Sequence, residues 1–176
     1  MKAILVGFMG SGKTTVGNIL ADELGVAYHD LDDIIVQEAG KTIPEIFAQG
    51  GEESFRQIET QALESAIGLD GILGTGGGTP MRSENQKLLS ETDAPVILLD
   101  VLPETIMSRL SGDNNRPLVQ QLGPVGLRDL KQKRDSTYYG VSDFTISTDK
   151  LTPEEVAKRA LEGLAKISGG MENSND

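Results

Sequence analysis

"LVGFMGSGKTTVG" occupies residues 5–17, directly behind the first apolar run of a 176-residue chain. It contains four glycines, a lysine and two adjacent threonines. Glycine loses more backbone entropy on folding than other residues and weakens strand and helix interiors. Its concentration here marks a place where bare backbone is needed. "KAILVG" (2–7) before it reads as a short strand. Residues 13–24 read as a helix with Val16, Ile19, Leu20 and Leu24 on one face and Gly25 as its stop.

Between that strand and that helix, Gly7 to Thr14 match G-x-x-x-x-G-K-[ST]. Consecutive backbone NH groups in such a loop fold around a β-phosphate, the glycines allow close approach, and the helix N-terminus adds a favourable dipole. Lys13 then reaches the β- and γ-phosphates, and the Thr14 hydroxyl is placed to ligate Mg²⁺. Gly10, Ser11, Gly12, Lys13, Thr14 and Thr15 are the nucleotide-binding candidates. The competing reading is a glycine-rich turn that binds nothing. A chance match in a chain of this length is on the order of one percent.

Composition bounds what the loop serves. Hydrophobic residues at 38% and charged residues at 24% give a globular balance. The length suits one α/β domain with a real core. A net charge of -11 disfavours a general nucleic-acid binder, so any phosphate must be held by local NH groups and cations. No cysteine is present, which excludes disulfides and thiolate metal sites, and His29 is the single histidine. No run approaches the ~18 apolar residues of a membrane span, and no signal peptide is read before residue 2. The expectation is a cytoplasmic protein with no membrane or nucleic-acid partner.

Further along, "VAYHDLDD" reads as a second strand ending in carboxylates, and residues 52–67 as an amphipathic helix with Phe55, Ile58, Ala62 and Ala66 along one stripe. "GILGTGGG" (71–78) is a short strand entering a glycine cluster, and "APVILLDV" (94–101) a strand covered on both faces. Helix 103–111 follows, with Pro103 in its first turn. Residues 112–126 carry glycines and prolines without periodicity and are read as a long loop of the lid type. Helix 127–138, strand 144–148 and helix 153–166 complete the chain, and the polar tail from 169 to 176 is expected to be disordered. Alternating strands and helices predict a single α/β domain over 1–168, a three-layer α/β/α fold with a mostly parallel five-stranded sheet.

A phosphate loop alone does not choose among GTPase, ATPase and small-molecule kinase. No N-K-x-D signal for guanine is present. The segments that discriminate are "HDLDD" (29–33), "GGEESFRQIE" (50–59), "GTGGG" (74–78), "NRPL" (115–118) and "RDSTY" (134–138). Each has a plain reading. Asp30 and Asp32, at a strand end and pointing the same way, can be a polar turn into a helix capped by Asp32. Arg56 and Glu59, spaced i, i+3, can be a surface ion pair. Gly76, Gly77 and Gly78 can be a flexible turn, and Arg116 an ordinary solvated arginine.

In this order and spacing the set resembles the shikimate kinase family, from about residue 3 to about residue 165. The resemblance implies a phosphate-loop kinase fold and transfer of the γ-phosphate of Mg·ATP to the 3-hydroxyl of shikimate, in aromatic amino-acid (chorismate) biosynthesis. It implies that Asp30 lies near the metal while Asp32 orients or deprotonates the acceptor hydroxyl. Arg56, held by Glu59, and Arg134 would bind the acceptor carboxylate, with Gly76, Gly77 and Gly78 contacting its ring hydroxyls and carboxylate. Arg116 would swing over the transferring phosphate from the lid, Arg109 would stack on adenine, and 148–153 with Pro153 would complete the adenine pocket. Catalysis would rest on Lys13, Asp32 and Arg116, and the metal on Thr14 and Asp30. His29 is assigned no role and read as a solvated neighbour of Asp30. A monomer is expected.

Several positions depart from the family pattern. Gly74 stands where Ser or Ala is usual, Pro80 where an apolar side chain is usual, and "RDSTY" where R-x-P-L-Y is commoner. Asp135 beside Arg134 is a negative charge that opposes an anion there. Two other readings are a gluconate-type or other sugar-acid kinase on the same fold and a nucleotide-binding regulatory module without catalysis.

Overall fold

The computed structural model describes residues 1–110 and 117–172. Five parallel strands form one sheet: β1 (Ala3–Val6), β2 (Tyr28–Asp30), β3 (Ile72–Gly74), β4 (Val96–Asp100) and β5 (Phe144–Ser147). Their spatial order is β2-β3-β1-β4-β5. The helices are α1 (Lys13–Leu24), α2 (Leu31–Ala39), α3 (Ile43–Ile67), α4 (Ser83–Glu91), α5 (Pro103–Leu110), α6 (Pro117–Val141) and α7 (Pro153–Glu172).

Side chains alternate across a strand, so one short apolar strand supplies both faces of the sheet. Ile4 and Val6 point into one core with Leu73, Val96 and Leu98, packed by residues of α2, α3 and α6. Ala3 and Leu5 point into the other with Ile72, Ile97, Leu99 and Ile146, covered by Val16 and Leu20 of α1 and by Val156 and Ala160 of α7. All four residues of β1 are fully buried. Each large aliphatic side chain removed from water contributes roughly 1.5–3 kcal/mol, and a sheet covered on both faces collects that twice per strand pair.

Because every strand is parallel, all strands end on one side of the sheet, and loops there gather in a single crevice. The phosphate loop follows β1, Asp30 ends β2, the glycine triplet follows β3 and Thr148 follows β5.

Several expectations are corrected. Residues 117–126 are not loop: α6 runs from Pro117 to Val141, with a break at Gly123 (φ 59, ψ -175). Pro117 and Pro124 each stand at the start of a helical stretch, where a missing NH costs nothing, so prolines that look like breakers here begin helices. Arg116 and the remainder of the expected lid, 112–116, lie outside the described residues. The tail is not wholly irregular either, since α7 continues through Glu172. Asp32 is not on a strand: β2 stops at Asp30, whose carboxylate N-caps α2 by accepting from the Asp32 NH at 3.0 Å. Leu24, read as core, is 40% exposed. His29 donates from Nε2 to the Asp70 carbonyl at 2.9 Å, so it ties β2 to the turn before β3.

Candidate active site

The loop after β1 needs its glycines. Gly7, Gly10 and Gly12 have φ of 146°, 75° and 97°, and a Cβ on Gly7 would meet the Leu99 carbonyl oxygen at 2.5 Å. Side chains other than glycine are strained at such angles. Ser11 is buried, and its NH closes a turn onto the Phe8 carbonyl at 3.2 Å. The Lys13 ammonium donates to the Gly7 and Phe8 carbonyls at 2.8 and 3.0 Å and approaches Ser11 Oγ at 3.4 Å. It is thus folded over the loop's own concavity, where a phosphate would accept in place of those carbonyls.

A cavity of about 680 Å³ opens from this loop. Gly10, Ser11, Gly12, Lys13, Thr14 and Thr15 line it, as do Asp30, Asp32, Gly76, Gly77, Arg109 and Pro153. Arg109 bridges two walls, donating from Nη1 to the Gly10 carbonyl at 3.1 Å and from Nη2 to the Thr148 carbonyl at 2.8 Å. Thr148, in the segment expected to complete the adenine pocket, is buried and lines the cavity. Sequence reasoning gave no role to Thr75, also buried and lining the cavity, because a threonine after a strand is ordinary. Thr75 returns its hydroxyl to the Leu5 carbonyl at 3.0 Å and so locks the glycine triplet against β1.

Beyond the phosphate end lies the second half of the site. Gly76 sits 3.7 Å, from where its Cβ would be, to Asp32 Oδ1 and 3.5 Å to Glu59 Oε1. A Cβ on Gly78 would press to 2.8 Å from Nη2 of Arg56. Arg134 donates to the Gly77 carbonyl at 3.3 Å, and the Tyr138 hydroxyl donates to the same oxygen. Both predicted carboxylate-binding arginines therefore flank one three-residue segment. Arg56 pairs with Glu59 at 2.8 Å, yet the pair is not a surface one: Glu59 is 1% exposed and also accepts from the Thr79 hydroxyl at 2.8 Å. The Arg56 guanidinium lies 5.2 Å from the Phe55 ring, which stacks on Phe47 at 4.6 Å. The Arg134 guanidinium lies 5.8 Å from the Phe8 ring.

Asp32 is exposed toward the mouth of the cleft, but loss of hydration inside it pushes the carboxyl up to about 6. Asp30, Glu59 and Asp33 add negative charge in the same direction, and Lys13 opposes them. A carboxyl with its pKa near neutrality is suited to take a proton. Asp135, expected to oppose Arg134, instead bonds Lys131 at 2.7 Å.

Gly74 has a local explanation. The Tyr28 ring lies across it, and a Cβ there would meet the phenol oxygen at 2.1 Å. Gly17 of α1 faces the same ring at 2.3 Å. The phenol approaches Asp30 Oδ2 at 3.5 Å, and burial pushes its pKa up to about 12. Pro80 is buried in a single 3₁₀ turn, Thr79–Met81, that carries Thr79 to Glu59.

A family model for shikimate kinases matches residues 9–165. The shikimate kinase of Limosilactobacillus fermentum is 49% identical over 159 residues, spanning 90% of this chain and 92% of its own. That of Synechococcus elongatus is 43% identical over 176 residues, spanning 98% of this chain and 89% of its own. A solved structure of shikimate kinase from Acinetobacter baumannii in complex with shikimate matches with a TM-score of 0.84 at 36% identity, covering 99% of this chain and 94% of that one. A gluconokinase from Sinorhizobium meliloti matches with a TM-score of 0.63 at 16% identity, over 99% of this chain and 97% of that one, a likeness of fold alone.

Proposed function

This chain belongs to the shikimate kinase family, and from that premise we propose that it transfers the γ-phosphate of ATP to the 3-hydroxyl of shikimate. The products are shikimate 3-phosphate and ADP, a step of aromatic amino-acid (chorismate) biosynthesis. The observation that carries the reading is the convergence of Arg56, Arg134 and Asp32 on Gly76–Gly78, directly beyond the phosphate loop. Two guanidinium forks suit one planar carboxylate, and a base between them and the phosphate loop suits a hydroxyl on the same small ring.

The loop NH groups, Gly10 to Thr15 and Lys13 hold the phosphates. Arg109 and the wall of Thr148, Leu151 and Pro153 form the adenine end of the cavity. Asp32 orients the acceptor hydroxyl and receives its proton. Lys13 neutralises charge as it builds on the transferring phosphoryl group, and positioning supplies most of the rate. Arg116, outside the described residues, is assigned the same neutralising task on its sequence context.

Thr14 and Asp30 both line the cavity, and among the described residues no cluster of three or more His, Cys, Asp or Glu could hold a metal. That donor set fits Mg²⁺, which takes one or two protein oxygens and completes its shell with phosphate and water. When bound, Mg²⁺ supplies positive charge to the β- and γ-phosphates. The reading also takes the enzyme to act as a monomer. No helix among the described residues is long and apolar enough to cross a membrane, and we place the enzyme in the cytoplasm.

ADP release coupled to a detector, with shikimate, gluconate and no acceptor in parallel, tests the proposal. ADP formation that depends on shikimate supports it. Turnover on gluconate alone, or equal ADP release without acceptor, overturns it.

A further inference from the structure

Lys131 stands out as a charged side chain inside the fold, with only 7% of its side chain exposed. It lies on α6, one turn before Arg134. Its ammonium donates to Asp100 Oδ1 at 3.0 Å and to Asp135 Oδ1 at 2.7 Å. Asp100 ends β4, and its second oxygen accepts from the Tyr139 hydroxyl at 3.0 Å. One cation thus bonds two carboxylates, Asp100 at the end of β4 and Asp135 on α6, the helix that also carries Arg134 and Tyr138. Burial alone would lower the Lys131 pKa, but the bonds to Asp135 and Asp100 outweigh it and hold the ammonium above its ordinary range.

Nothing in the proposed reaction uses this triad. Its place gives it a task. Tyr138 and Arg134 share the Gly77 carbonyl, and the Tyr138 phenol feels Arg134, Asp135 and Lys131 together. The field at the glycine triplet is therefore the sum of all three charges. Asp135 adjoins Arg134 in sequence, well within a Debye length of about 10 Å, so an unbalanced Asp135 would cancel much of the attraction Arg134 exerts on an anion.

We propose that Lys131 determines acceptor specificity by charge: it offsets one of the two negative charges of Asp135 and Asp100, and so preserves at Arg134 a site selective for a carboxylate over a neutral acceptor. Lys131 does not touch the acceptor. It acts through Arg134, and the inference rests on the reading of Arg134 as a carboxylate-binding residue.

The test is calorimetric titration, in the presence of ADP, of shikimate and of its neutral amide into the wild-type chain, Lys131→Met, Asp135→Asn, the double variant and Arg134→Ala. Lys131→Met is expected to weaken shikimate binding roughly three- to tenfold, the scale of one unbalanced charge in a half-buried setting. The double variant is expected to return to within about twofold of wild type, since its local charge sum is restored. Amide binding and ATP binding are expected to stay level across the Lys131 and Asp135 variants. Shikimate binding unchanged in Lys131→Met overturns the inference. So does a double variant as weak as Lys131→Met, because a packing role would not be rescued by Asp135→Asn. Where Lys131→Met fails to fold, Asp135→Asn alone decides: tighter shikimate binding supports the inference, and unchanged or weaker binding overturns it. Full-strength shikimate binding by Arg134→Ala would sink the underlying reading of the site. Weak binding by Arg134→Ala beside an unaffected Lys131→Met sinks only the role of Lys131.

Discussion

The two ends of the cleft are built in opposite ways. At the phosphate end the chain uses consecutive backbone: Gly7, Gly10 and Gly12 bend through positive φ so that NH groups and one lysine face a common point. At the acceptor end it uses side chains from separate elements, Asp32 on α2, Arg56 and Glu59 on α3 and Arg134 on α6, set around three glycines. The first end is a local structure that needs only the strand before it and the helix after it. The second exists only when three helices have docked. Losses at the phosphate end should therefore strike chemistry for any acceptor, and losses at the acceptor end should strike recognition of one substrate.

The largest effect that this contrast predicts is at Lys13. Lys13→Ala is expected to lower kcat about a thousandfold or more, because a fixed cation at developing phosphate charge is lost, with circular dichroism unchanged. Turnover near the wild-type rate would erase the distinction between the two ends. Arg56→Ala comes next. A charge-assisted contact contributes ~1.5–3 kcal/mol, so shikimate affinity is expected to fall roughly ten- to a hundredfold, with ATP affinity level in the same titration. A parallel loss of ATP affinity would show the ends to be one unit.

A milder effect sharpens the acceptor end by pH. Asp32 is held up at about 6, and its basic form is the active one. Activity at limiting shikimate is then full above that value and falls as pH drops through it, to about a tenth one unit below. The same raised pKa means the folded state binds this proton more tightly than the unfolded chain. Asp32 accordingly detracts from stability above pH 6, and that cost fades as pH falls toward 3.8, its ordinary value. A pH–rate profile of Asp32→Asn that kept the wild-type inflection would assign the titration elsewhere. The smallest catalytic effect is expected at Gly74. Gly74→Ala crowds Tyr28 and is expected to cost about 1–3 kcal/mol in thermal or urea unfolding, with activity changed only a few-fold. Most of that cost is expected to vanish in a Tyr28→Phe background, because the closest clash is with the phenol oxygen.

The same contrast explains what could be read from sequence. The phosphate loop, β1 and α1 were legible because their residues are contiguous and Gly7, Gly10 and Gly12 serve one turn. Arg56 and Arg134 were legible by resemblance, but their surroundings were not. That Glu59 is buried, or that Lys131 reaches Asp100 at the end of β4, depends on which faces pack together, whereas the Lys131–Asp135 pair is an i, i+4 spacing on one helix. α4 gave little signal, since among its residues only Leu89 and Asn85 are buried. Residues 117–126 were misread because Gly123 and Pro124 look like loop, whereas together they turn one helical stretch and start the next.

The slot that holds Tyr28 between Gly17 and Gly74 also constrains the order in which this sequence can change. A side chain at 74 is strained while the hydroxyl at 28 remains and much less so once it has gone. A walk through single substitutions toward the Ser or Ala usual at position 74 thus has one easier direction. A shuffled gene that inherits β3 from a relative carrying Ser or Ala there and β2 from this chain would combine two sound halves into a strained whole. Recombination points between residues 28 and 74 are then the ones to avoid when building chimeras.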